Sequence, residues 1–275
     1  MNDKKNKSVF YAYLGSFSFI IILLFIAGFQ LFILSEQTET YFAWTFGLPL
    51  AAAFMGAGYW SAIPGALIGI KTQNWEIIRS SMAPSLIATT MLAITTFLHL
   101  DKFHLGSPLF ITRFVTWVWI IVYVVTPPAL AVAWIIQARA AGTNSRRETP
   151  LAGWVRGGLG LLAVIALASG LGLFFVPEKM SLIWPWAITP LAGRAIGSWM
   201  CAFGVACTSL LIENDVRNGL GTGSSLFAFC LLQLIVLARY ASAMDWTKPM
   251  AGIYVVILLF GGILVGTNLF MAWRR

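Results

Sequence analysis

Apolar residues dominate eight stretches of the chain, and polar residues gather between them. The stretches are residues 9–34, 49–70, 81–98, 109–136, 154–176, 190–212, 222–240 and 250–273. Each approaches or exceeds the ~20 residues that a helix needs to cross the hydrocarbon core of a bilayer. They are continuous rather than alternating, which excludes the two-residue period of a transmembrane β-barrel. The pattern predicts an all-α integral membrane protein with eight transmembrane helices. The first stretch follows Lys4, Lys5 and Lys7, as in a signal peptide. It is too long for the apolar region of one, and no small-x-small cleavage pattern follows it. It is expected to remain as a span.

Composition narrows the picture further. Of 275 residues, 59% are hydrophobic and 10% charged, whereas about 25% are charged in a soluble domain. Mean hydropathy is +0.83. The longest polar stretch, 137–153, reads as a cytoplasmic connector, so a soluble catalytic domain is excluded. The net charge of +8 comes from Lys and Arg at helix ends, where a bilayer orients its proteins, and implies no nucleic-acid partner. Twelve of these cations fall on the N-terminal side of the spans and six on the other. That bias predicts cytoplasmic termini in a bacterial inner membrane. Cys201, Cys207 and Cys230 all lie inside apolar runs, where free cysteine behaves as a small hydrophobe.

The two halves of the chain resemble each other. Pro49-Leu50-Ala51 with Gly56 matches Pro190-Leu191-Ala192 with Gly197 at an offset of 141 residues. Arg79 matches Arg217 at 138, while Leu130, Ala133 and Trp134 match Leu269, Ala272 and Trp273 at 139. Near-constant spacing close to half the length predicts a duplication. The expected organisation is a tail (1–8), a first four-helix repeat (9–136), the linker (137–153) and a second four-helix repeat (154–275). Four spans per repeat keep the copies parallel, related by a pseudo-two-fold axis along the membrane normal. The pairs Gly65/Gly69, Gly153/Gly157 and Gly262/Gly266 have the spacing of close helix contacts.

Several chemistries are excluded by what is missing. No acidic or basic residue lies in the middle of a span, which argues against a proton pump, a proton-coupled carrier or a voltage sensor. The last span has no lysine for a retinal, and the two histidines lie at a helix end rather than deep in the bundle, so no haem is expected. No cofactor is implied, and an enzyme is not the expected class. Gln30 and Gln233 read as interhelical hydrogen-bonding groups.

The polar groups that remain collect at the outer helix ends. Arg113, Arg194 and Arg239 lie at one membrane level, where each can reach lipid headgroups, or where two or more can converge on an anion or pair with Asp101 and Asp245. Trp44 and Trp186 precede the paired Pro-Leu-Ala helix starts, as interfacial anchors or as part of that pocket. Trp184-Pro185-Trp186 reads as a belt or as a segment dipping between helices. Thr126-Pro127-Pro128 is expected to kink the fourth span. His99, Asp101 and His104 have the chemistry of a divalent-metal site, or form an interfacial cap.

The run from Trp184 to Trp199, with its WPW-x3-PL-x2-R-x2-G pattern, and the run from His99 to His104 resemble a pattern recurring in bacterial polytopic membrane proteins. The resemblance covers most of the chain and implies a bacterial origin, with no activity or site residues attached. Three readings follow. One is a permease-type or lipid-binding protein, with a small-molecule or anionic-lipid ligand at the outer end of the repeat interface. The others are a non-catalytic subunit of a larger membrane complex and an outer-facing metalloenzyme using His99, Asp101 and His104.

Overall fold

The computed structural model describes residues 11–139 and 147–273, with side chains for most of them. Among these the helices are α1 (Tyr11–Gly28), α2 (Thr38–Tyr41), α3 (Pro49–Thr72), α4 (Trp75–Leu98), α5 (Phe110–Arg139), α6 (Gly153–Phe175), α7 (Pro177–Ile183), α8 (Pro190–Glu213), α9 (Leu220–Arg239) and α10 (Pro249–Trp273). Seven of the described helices, α3 to α6 and α8 to α10, are long and apolar enough to cross a membrane. The expected first span begins outside the described residues; α1 and a π-helical turn, Phe29–Ile33, occupy its described part.

Local chemistry sets the boundaries. Pro49 and Pro190 open α3 and α8, where a missing N–H costs nothing. The Asn74 side chain accepts from Glu76 N–H to start α4, and Thr189 does the same for Ala192 in α8. Gln73 and Asn214 end α3 and α8 in the left-handed conformation, at φ of 48° and 46°. Short 3-10 turns, Leu100–Lys102 and Ala241–Ala243, follow α4 and α9. Helix α4 begins at Trp75 rather than at residue 81, because its polar first turns are paired across the bundle, as Ser80 is with Thr222. The expected kink does not break α5, which continues through Pro127 and Pro128 as one helix of 30 residues.

The inner layer comprises α3, α4, α8 and α9. Helix α8 lies between α6 and α4, α3 packs on α9 and α1, and α5 and α10 flank α4 and α9. Burial is highest in the α8, α3 and α9 spans, at 61%, 50% and 44%, against 28% in α4 and 11% in α5. Glycine brings backbones together where α6 crosses α8. A Cβ on Gly197 would stand 2.7 Å from the Gly170 carbonyl oxygen, and one on Gly170 would stand 2.7 Å from Cys201 N. Gly65, Gly69, Gly262 and Gly266 also sit against neighbouring residues, whereas a Cβ on Gly153 or Gly157 would meet none of the described residues within 4 Å. An aromatic core fills the bundle near one end, linking Trp44 to Trp119, Trp119 to Tyr123 and Tyr59 to Trp199.

Candidate functional site

The loops after α1, α4, α7 and α9 share one end of the bundle, called here the tryptophan end. Most of the residues singled out in the sequence lie there. Arg194 donates to His99 Nε2 at 2.8 Å, so the imidazole is neutral and carries its hydrogen on Nδ1. Burial and the adjacent Arg194 cation lower the His99 pKa. Arg239 donates to the Phe32 carbonyl at 2.7 Å and to that of Ile33 at 3.5 Å, satisfying oxygens at the end of the π turn. Its guanidinium also lies 3.7 Å from Glu36 and 4.9 Å over the Tyr240 ring. Arg113 is exposed, and exposed Asp101 pairs with Lys102 at 3.1 Å.

The histidines and Asp101 therefore have separate partners. His104 Nδ1–H donates to the Phe42 carbonyl, its Nε2 accepts from the Thr45 hydroxyl, and both contacts are 3.0 Å. The ring pins the Phe42–Thr45 turn with both nitrogens. Among the described residues, no group of three or more His, Cys, Asp or Glu side chains is placed to hold a metal ion.

Two cavities lie on the second half of the chain. An apolar cleft of about 90 Å³ opens between α6, α8, α9 and α10, walled by residues such as Leu162, Ala166, Phe203, Cys230, Ile257 and Gly261. It borders α10 from Met250 to Val265, roughly 22 Å at 1.5 Å per residue. Trp184, Pro185 and Tyr254 line its tryptophan end. Beside that end is a polar cavity of about 460 Å³, lined by Ser181, Trp186, Ala187, Met244, Asp245 and Lys248, among others. Neither cavity is lined by Arg113, Arg194, Arg239, Asp101 or Trp44, or by any residue of α5.

The Trp184-Pro185-Trp186 segment separates the two cavities and dips into the protein, with the tryptophans 2% and 1% exposed. Asp245 N–H donates to the Pro185 carbonyl at 2.8 Å, while the Lys248 ammonium reaches the carbonyls of Trp184 at 2.9 Å and Ser181 at 3.3 Å. Lys248 lies 4.0 Å from the Asp245 carboxylate. Hydrogen bonds from the Thr247 hydroxyl and N–H hold the Asp245 carboxyl below the usual carboxylate range. Among the described residues the buried Nε1 donors of Trp184 and Trp186 have no acceptor, and neither do those of Trp44 and Trp199. A buried donor left unpaired costs on the order of 1–3 kcal/mol.

Sequence reasoning singled out Trp186 and Asp245 separately, Asp245 as a partner for the arginines, and did not bring Lys248 beside them as this cavity does. It also missed the opposite end, where Arg79 grips Glu213 through two hydrogen bonds, one from Nε at 2.8 Å. Asn218 donates to the same carboxylate at 3.0 Å. Asp215 accepts the N–H groups of Glu148, Thr149, Arg217 and Asn218, tying the segment before α6 to the α8–α9 turn. Burial pushes its carboxyl up, but the donors from Asn218, Thr149 and Glu148 outweigh this and hold it low. The sequence signal was present in Glu213-Asn-Asp215-Val-Arg217-Asn218. Gln233 acts as anticipated, donating to the Phe54 carbonyl at 3.1 Å and accepting from Tyr254 at 3.0 Å.

An all-helical bundle with seven apolar helices of spanning length defines the class, a polytopic α-helical membrane protein. No family model, curated protein or solved structure matches the chain.

Proposed function

We propose that the protein binds a membrane lipid, taking an acyl chain into the cleft between α6, α8, α9 and α10. The observation that carries this is the cleft itself. It is narrow and apolar, borders about 22 Å of α10 and ends beside a polar cavity. An acyl chain has that shape and chemistry, and the bilayer supplies one. This moves the site from the seam between the two halves, where Tyr59, Trp119 and Trp199 pack together, into the second half alone.

The reading includes two parallel four-helix units arranged about an axis along the membrane normal. Its support is positional. Both units start an inner helix at a proline and end it on a left-handed residue, and both follow the next helix with a 3-10 turn. Contacts across the seam are reciprocal, α3 with α9 and α4 with α8, as a two-fold arrangement requires. In this frame Arg79 is equivalent to Leu220 at the start of α9, not to Arg217. The excess of Lys and Arg then directs the tryptophan end away from the cytoplasm, so the polar cavity opens toward the outer leaflet of a bacterial inner membrane.

Native mass spectrometry of the detergent-purified protein tests the cleft. The parent protein is expected to retain one lipid per chain. Ala166→Phe, which fills the cleft wall, is expected to lose it while keeping its thermal stability. Equal retention by both proteins overturns the proposal.

A further inference from the structure

Resting on that reading, we infer that the polar cavity beside Trp186 selects a phosphoethanolamine headgroup. The lipid bound in the second unit is then a zwitterionic phospholipid with a primary ammonium. The Trp184–Trp186 segment lines both cavities, and Lys248 precedes the cleft residue Met250 by two residues. A molecule with its tail in the cleft would carry its head toward Lys248 and Asp245.

Charge narrows the head. The cavity presents one ammonium and one carboxylate, 4.0 Å apart and partly exposed, with side-chain accessibilities of 28% and 43%. A purely anionic head would gain Lys248 but face Asp245, and a purely cationic head would do the reverse. A phosphate joined to an ammonium offers each residue its opposite. The Asp245 carboxylate accepts hydrogen bonds, so a primary ammonium satisfies it with N–H donors that a quaternary choline lacks.

Trp184 lines the cleft and Trp186 the polar cavity, so a ligand that spans both lies along these two side chains. Charge-assisted hydrogen bonds contribute about 1.5–3 kcal/mol each, and 1.4 kcal/mol corresponds to tenfold in affinity. The ethanolamine head is thus expected to bind about tenfold more tightly than choline or glycerol heads on the same chains.

The test uses delipidated full-length protein in maltoside detergent, titrated separately with dioleoyl phosphatidylethanolamine, phosphatidylcholine and phosphatidylglycerol. Bound lipid is counted by native mass spectrometry. The parent protein should prefer ethanolamine about tenfold. Asp245→Asn, which keeps an acceptor for Thr247, should bind ethanolamine and choline alike. Trp186→Phe should weaken all three lipids without changing their order. Equal binding of the three by the parent protein, or preference for glycerol, overturns the headgroup inference. If Ala166→Phe still abolishes binding in that case, the cleft reading stands. Unchanged binding by Ala166→Phe removes both.

Discussion

Arg79 and Glu213 come from opposite halves of the chain, and their side chains are only 18% and 6% exposed. Removing one partner strands a buried charge, which costs about 3–5 kcal/mol, whereas replacing both with apolar residues is often neutral. Arg79→Leu and Glu213→Leu are each expected to lower the melting temperature in detergent sharply, and the double variant should recover most of the loss. Additive losses would mean that the two charges do not depend on each other. His99 makes a different contribution at the other end. Its Nε2 accepts from Arg194, and its pKa is lowered by burial and by that cation. A depressed histidine stabilises the fold above its unfolded value near 6.5, and that contribution is lost as pH falls through the lower folded value. Asp101, Lys102 and Glu178 also act on the ring, and of these Lys102 works in the same direction as Arg194. Melting temperature should therefore fall on acidification from about pH 7 to about pH 5, and His99→Gln should flatten this dependence. An unchanged slope would remove His99 as its source. The sequence distinguished Arg194 and His99 by position but not as partners, because their pairing depends on α4 and α8 ending side by side.

Apolar runs and proline starts made most helices legible, since each run must satisfy its own backbone in a membrane. The boundary of α4 was less so. Glu76, Arg79 and Ser80 read as a polar loop until Asn74 caps them and Glu213 and Thr222 meet them from α8 and α9. The glycine spacings were legible as packing signals but not as actual contacts. Gly170, with no glycine four residues away, meets Gly197 and Cys201 where α6 crosses α8, while Gly153 and Gly157 meet nothing among the described residues. Gly170→Ala should force α6 from α8 and cost about 1–3 kcal/mol by overpacking. Gly157→Ala should leave stability unchanged or raise it slightly, by up to about 1 kcal/mol of helix propensity. Thermal melts of the two variants separate these outcomes. Equal losses would mean that the α6–α8 spacing is not set by glycine.

Across the whole molecule, the arrangement places two unlike polar layers at the ends of one apolar bundle. One end is locked by Arg79, Glu213 and Asp215, each paired within the protein. The other carries the polar cavity and the exposed Asp101 and Lys102. In the proposed orientation the side rich in Lys and Arg faces the cytoplasm, and a lipid headgroup at Lys248 then comes from the outer leaflet. Orientation and ligand access therefore stand together. Lys102→Cys and Glu148→Cys place a thiol on an exposed residue at each end, in a background with Cys201, Cys207 and Cys230 replaced by alanine. A membrane-impermeant maleimide applied to intact cells is expected to label Lys102→Cys alone, and Glu148→Cys only after the membrane is broken. The reverse pattern would turn the protein over and bring its lipid from the cytoplasmic leaflet. Labelling of both positions in intact cells would remove the membrane-spanning arrangement on which the cleft and headgroup proposals depend.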